Sequence, residues 1–199
     1  MTWGRVTVRA GFPLLLAALV YFDTNGLLLW VALAAGLHEL GHLLALWSMG
    51  GRLENLELSL GGIALHTAAV PALSYGRELA ATLAGPLFSL LGALAAARLG
   101  PGFYAPAGIA LSQGVFNLLP ARTLDGGRAL YLALCWRRDH RLADRALTVT
   151  TWLCAATLAA VGLYAFLLSG YNVTLLLAAG YAAATLLRRP EAGRQKIKG

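Results

Sequence analysis

Three long stretches of this chain carry no ionised side chain: residues 79–97, 99–121 and 146–187 contain no Asp, Glu, Lys or Arg. The whole chain, 199 residues, is 58% hydrophobic and only 13% charged, far more apolar than a soluble domain of that length. Crossing the hydrocarbon core takes roughly 20 apolar residues in a helix. Lipid offers the backbone no hydrogen-bond partners, so the crossing segments must satisfy themselves as helices. The fold class that follows is an all-α polytopic membrane protein.

Walking the chain predicts about six spans. They are placed near 10–22, 27–49, 77–97, 103–119, 146–168 and 171–187, with the last two separated at Ser169-Gly170-Tyr171-Asn172. The first is short and has Arg9 at its edge, where the long side chain can snorkel. Between the second and third spans, Leu53 to Leu60 alternates imperfectly between polar and apolar, and Gly61-Gly62 precedes Ile63-Ala64-Leu65-His66. That pattern predicts a short re-entrant β-hairpin. Non-helical backbone at membrane depth is tolerated only against protein or a watery cavity.

The net charge of +7 does not point to nucleic acid, because the basic residues gather at segment ends: Arg5 and Arg9, residues 137–145, and the tail from Arg188. Under the positive-inside rule they predict both termini in the cytoplasm. Residues 1–187 then form one membrane-embedded domain and 188–199 a basic cytoplasmic tail. A cleaved signal peptide is not expected, since no small-residue cleavage site precedes the next span. Cys135 and Cys154 show no metal-ligand spacing and are expected as small buried apolar residues.

Chemistry enters at His38-Glu39-Leu40-Gly41-His42, in the middle of the second apolar segment. Residues four apart share a helix face, so both imidazoles can bind one zinc with Glu39 beside them as general base. Three ionisable groups at lipid depth are costly and mark a functional site. A catalytic zinc usually has three protein ligands. Asp125 is the favoured third: it follows an apolar segment and a proline, and Gly126-Gly127 after it let backbone approach closely. His66, in the expected hairpin, is the alternative.

HELGH on an early span, with Asn117-x-x-Pro120 and Leu124-Asp125-Gly126-Gly127 downstream, closely resembles the site-2 protease family of intramembrane zinc metalloproteases. Ala84-Gly85-Pro86 is similar to a further family feature, and the resemblance covers a catalytic core of about 27–135. It implies that His38, His42 and Asp125 ligate one zinc ion and that Glu39 activates water. It also implies that Asn117, Pro120 and the hairpin turn at Gly61 and Gly62 serve the substrate. The substrate implied is a single-span membrane protein in the lipid bilayer, unwound and added as a strand to the hairpin edge. Lacking PDZ and CBS segments, the chain looks most like a minimal prokaryotic member, in the cell (inner) membrane. Thr123 replaces a common Pro, and Ser89 replaces a common Asn; both departures are expected to affect substrate positioning rather than the metal or the base.

Plainer readings exist for each feature. HExxH could be a pore helix with incidental polar residues, Asp125 a turn residue before glycines, and Asn117 a partner for backbone freed by Pro120. His66 reads as a hairpin residue, His140 as solvated, and Gly85-Pro86 as a helix-packing element. At the level of function, the rivals are a prenyl-protein-processing type of zinc peptidase and a catalytically silent metal-binding protein or transporter. The first needs a later ExxxD-like motif that no span carries; the second has no use for Glu39. Oligomeric state and the identity of the substrate are not encoded in any recognisable motif.

Overall fold

The computed structural model describes residues 25–59, 62–68, 74–137 and 139–170, with short pieces at 2–3, 6–8, 17, 20–21, 23, 176–177, 179–180 and 183–184. Among them, three helices are long and apolar enough to cross a membrane: Leu27–Ser48, Tyr75–Arg98 and His140–Ser169. The expected spans near 10–22 and 171–187 lie largely outside the described residues. Two compact units are present, Met1–Leu118 and Leu119–Gly199.

In the first unit, α1 (Leu27–Ser48) has 22 residues, or about 33 Å at 1.5 Å per residue. Its start is set by Asp23, whose two carboxylate oxygens accept from the Leu27 and Leu28 N–H groups at 2.8 and 2.9 Å. These are N–H groups that no helical carbonyl can reach. Its end is a Schellman turn. Gly50 takes a positive φ of 81°, Gly51 N–H donates to the Leu46 carbonyl, and Gly50 N–H donates to that of Trp47, each at 3.0 Å.

α2 (Tyr75–Arg98) packs on α1, and α3 (Tyr104–Asn117), entered through a 3-10 turn at Pro101–Phe103, packs on both. A small-residue core joins the three: Ala34, Ala93 and Ala110, with Ile109 against them. Large apolar side chains point outward instead, among them Leu29, Leu33, Leu91, Leu94 and Leu111. This inversion is the pattern expected where the surrounding solvent is lipid and close backbone packing holds the helices.

α3 departs from the expected fourth span. It has 14 residues, about 21 Å of helix, short of a hydrocarbon core of about 30 Å. Gly100 at φ 106° delays its start, and the residue before Pro120 is disfavoured in helix, which brings its end forward.

Among the described residues of this unit, four strands form one sheet. β1 (Thr2–Trp3) pairs antiparallel with β2 (Val6–Val8), and β2 runs parallel to β3 (Arg52–Ser59) with Val6 opposite Leu56. β3 pairs antiparallel with β4 (Gly62–Ala68) from Ser59–Gly62 to Arg52–Ala68, with a register shift between Leu53 and Asn55. Gly61 lies outside the described residues, as do the side chains of β3 and β4, including that of His66.

The second unit contains α4 (Asp125–Trp136) and α5 (His140–Ser169), which pack together. α4 is an element that the sequence reading did not anticipate. α5 begins at His140, six residues before the expected span. Residues 140–145 are therefore helix, not loop, because Asp139 caps them by accepting from Leu142 N–H at 2.7 Å. Gly170, at φ 75°, ends α5. Its lipid-type exterior is marked by Leu167 and Leu168, both over 70% exposed at 73% and 71%.

The packing contrast is testable. Ala93→Leu is expected to overpack the three-helix junction and cost about 1–3 kcal/mol. Leu94→Ala, on the outer face, is expected to stay within about 0.5 kcal/mol of wild type. Thermal unfolding in detergent reads both, and equal effects would contradict the assignment of faces.

Candidate metal centre

His38 and His42 lie one turn apart on α1, on either side of the place where α1 crosses α2. The crossing is close because Gly41 has no side chain: a Cβ there would stand 2.6 Å from the Ala84 carbonyl oxygen and 2.9 Å from Phe88. The second requirement is Gly85. A Cβ on Gly85 would collide with the Nε2 atom of His42, so glycine here leaves the ring its place. Gly85, buried beside Pro86, thus makes room for the His42 ring as well as letting two helices pack.

Each imidazole is held from behind. The Nδ1–H of His42 donates to the Ala81 carbonyl at 2.9 Å. Pro86 lies one turn further along α2; it removes an N–H from that helix, and its ring crowds the carbonyl of Thr82 four residues back. His38 Nδ1 lies 2.9 Å from Ser89 Oγ, a fully buried contact. Ring planes 82° apart then aim both Nε2 atoms at one place, 3.3 Å from each other. Two zinc–nitrogen bonds of 2.0–2.1 Å at a tetrahedral angle span about 3.3–3.4 Å. The imidazole pair therefore fits a zinc ion, with both outer nitrogens engaged as in metal-ligating histidines generally.

Glu39 is half-buried and follows His38 directly on α1, three residues from His42. Ser89 is the residue that sequence reasoning missed. The expectation for it concerns substrate positioning, yet it touches the His38 ring. The available signal was its place four residues after Gly85, on the same face of α2.

In the second unit, Asp125 is half-buried and is the first residue of α4. The loop before it is tightly built. Leu124 N–H donates to the Ala121 carbonyl, and both Gly127 and Arg128 N–H donate to that of Leu124. Gly127 has the close approach expected for it, since a Cβ there would overlap the Ala121 carbonyl. The loop is tied to α5 as Arg122 N–H donates to Thr151 Oγ1 at 3.0 Å and Arg122 Nη2 to Thr148 Oγ1 at 3.4 Å. Thr151, fully buried, is the second residue that the sequence did not reveal. Asn117 ends α3 half-buried, its amide donating to the Gln113 carbonyl at 3.2 Å, and Pro120 is also half-buried. His140 is exposed, with Nδ1 3.1 Å from the buried Cys135 Sγ.

Residues 63–161 match Peptidase family M50. The chain belongs to that family. The stretch matched to the M50 family contains Gly85, Ser89, Asn117, Pro120 and Asp125, whereas the HExxH lies before it. Among solved structures, the site-2 protease from Methanocaldococcus jannaschii has the same fold, with a TM-score of 0.66 and 21% identity. The match covers 94% of this chain and 92% of that one. No curated protein matches the chain by sequence. M50 peptidases are proteases with a metal centre, and the His38 and His42 imidazoles are donors of the kind that such a centre uses.

Gly85→Ala isolates the steric argument. Removing a helix-interior glycine should raise helix propensity by about 1 kcal/mol, while the added methyl collides with His42 Nε2. The expected protein is folded and depleted in zinc. Elemental analysis after purification checks this, and a wild-type zinc content would refute it.

Proposed function

We propose that this chain is an intramembrane zinc metalloendopeptidase that hydrolyses a peptide bond in or near a transmembrane segment of a single-span membrane protein. The observation that carries the proposal is the convergence of His38 and His42 Nε2 at zinc spacing inside an apolar helix bundle, with Glu39 next in sequence. Family membership supports it.

In this reading His38, His42 and Asp125 hold one zinc ion, and His66 is not required. Zinc, when bound, supplies a Lewis acid that makes water a nucleophile at neutral pH and polarises the scissile carbonyl. Glu39 takes a proton from the attacking water and returns it to the leaving amine nitrogen, the ordinary double duty of a general base. A ligand-only site would have no need of that carboxylate.

Helical peptide bonds are shielded by their own turns, so the substrate must be extended before attack. The segment around Gly61 and Gly62 is assigned as a re-entrant hairpin that pairs with the extended substrate as an added strand. Asn117 and Pro120 lie on the substrate side. Around this core the proposal retains six membrane segments, of which α3 is shorter than a full crossing, in a single domain, a bilayer setting of the prokaryotic inner-membrane type, and both termini in the cytoplasm. The clustering of basic residues at 137–145 and after residue 187 supports that orientation.

Two substitutions test the roles separately. Glu39→Gln is expected to keep its zinc and lose cleavage of a single-span substrate, by at least the 10²–10⁴-fold typical of a lost general base. Equal cleavage by the variant would sink the protease reading. Asp125→Ala is expected to lower bound zinc in purified protein, and an unchanged stoichiometry would move the third ligand to another residue such as His66.

A further inference from the structure

The two imidazoles are anchored by chemically different partners. Behind His42 stands the Ala81 carbonyl, an acceptor only and part of the α2 backbone. Behind His38 stands a side-chain hydroxyl, Ser89 Oγ, 2.9 Å from Nδ1. A hydroxyl can donate or accept, so this partner leaves the tautomer of His38 open, whereas that of His42 is settled with its proton on Nδ1.

Ser89 is also held in place. It has no exposed surface, and from the other side α3 comes so close that a Cβ on Gly114 would lie 3.1 Å from the Ser89 Cβ. The serine is thus wedged between the His38 ring and the α3 backbone, and its oxygen faces Nδ1.

We propose that Ser89 is the positioning residue of His38: its hydroxyl oxygen accepts a hydrogen bond from Nδ1–H, which keeps the Nε2 lone pair toward the metal and so sets the zinc affinity of the site. The inference rests on the zinc reading above. Balance requires no other group, since the imidazole proton resides on Nδ1 and the hydroxyl proton stays on Ser89. Without the hydroxyl, Nδ1 loses the oxygen 2.9 Å away, and the tautomer with its proton on Nε2, which cannot bind metal, is less disfavoured. A serine present only to let helices pack would have no such effect, because alanine packs as well or better.

The experiment uses the full chain in detergent, stripped of metal and titrated with zinc against a chromogenic chelator. The cobalt(II) form provides an absorption spectrum of the ligand geometry. Ser89→Ala is expected to bind zinc about 10–100-fold more weakly, as for lost partners of metal-ligating histidines elsewhere, and to show an altered cobalt spectrum at an unchanged unfolding temperature. Ser89→Thr, which keeps the oxygen on the same Cβ, is expected to recover the affinity. If the alanine protein does not purify folded, Ser89→Cys, which keeps the volume but is a weak acceptor, carries the same expectation.

Wild-type affinity and spectrum in the alanine or cysteine variant would overturn the proposal, as would a threonine variant as weak as alanine. Wild-type protein that binds no zinc at all would overturn the zinc reading itself, a separate outcome.

Discussion

The close approach of α1 and α2 is the contact on which the candidate metal centre depends. Lipid tails are as apolar as leucine, so burying leucine between helices gains little in a bilayer, and small residues that bring backbones together take over. Gly41 lets the Ala84 carbonyl and Phe88 come within van der Waals range of α1, and Gly85 opens the volume that the His42 ring fills. The two helices pass in opposite directions: His38 meets Ser89 near one side of the crossing, and His42 meets Ala81 near the other. A bulkier crossing would separate the rings from their partners, and the 3.3 Å spacing of the two Nε2 atoms would be lost.

An apolar bundle makes every buried polar group expensive unless it is paired. Among the described residues, no buried side-chain nitrogen or oxygen lacks a hydrogen-bond partner. His38 and Ser89 satisfy each other, His42 uses a backbone carbonyl, and Thr151 serves both the Leu147 carbonyl and the Arg122 N–H. The pairings are also what orients the groups. The same bonds that offset the cost of burial leave the imidazoles a single direction in which to aim, and tie the loop that leads to Asp125 onto α5.

Short-range features were legible in the sequence wherever one residue decides them. Gly170 ends α5 at the break expected from Ser169-Gly170-Tyr171-Asn172, and Gly127 has the close backbone approach read from Gly126-Gly127. The errors have equally local causes. α5 starts six residues early because a capping aspartate outweighs a run of basic residues, and α3 is shorter than an uncharged stretch of its length implies, because hydropathy does not register the stop before Pro120.

The sequence by itself determined the helical class, from its charge-free runs, and the imidazole pair, from a spacing of four residues that one helix turn converts into adjacency. Both are properties of a helix taken alone. Only the tertiary structure decided which atoms stand behind those imidazoles: Ser89 is 51 residues from His38, and Ala81 is 39 from His42. It likewise decided that Thr151, 29 residues from Arg122, holds the loop before Asp125. No periodicity links such positions, since they become neighbours only where the glycines let one helix lie against another. Hence Ser89 looked like a minor departure from a motif, while in the folded chain it stands against the His38 ring.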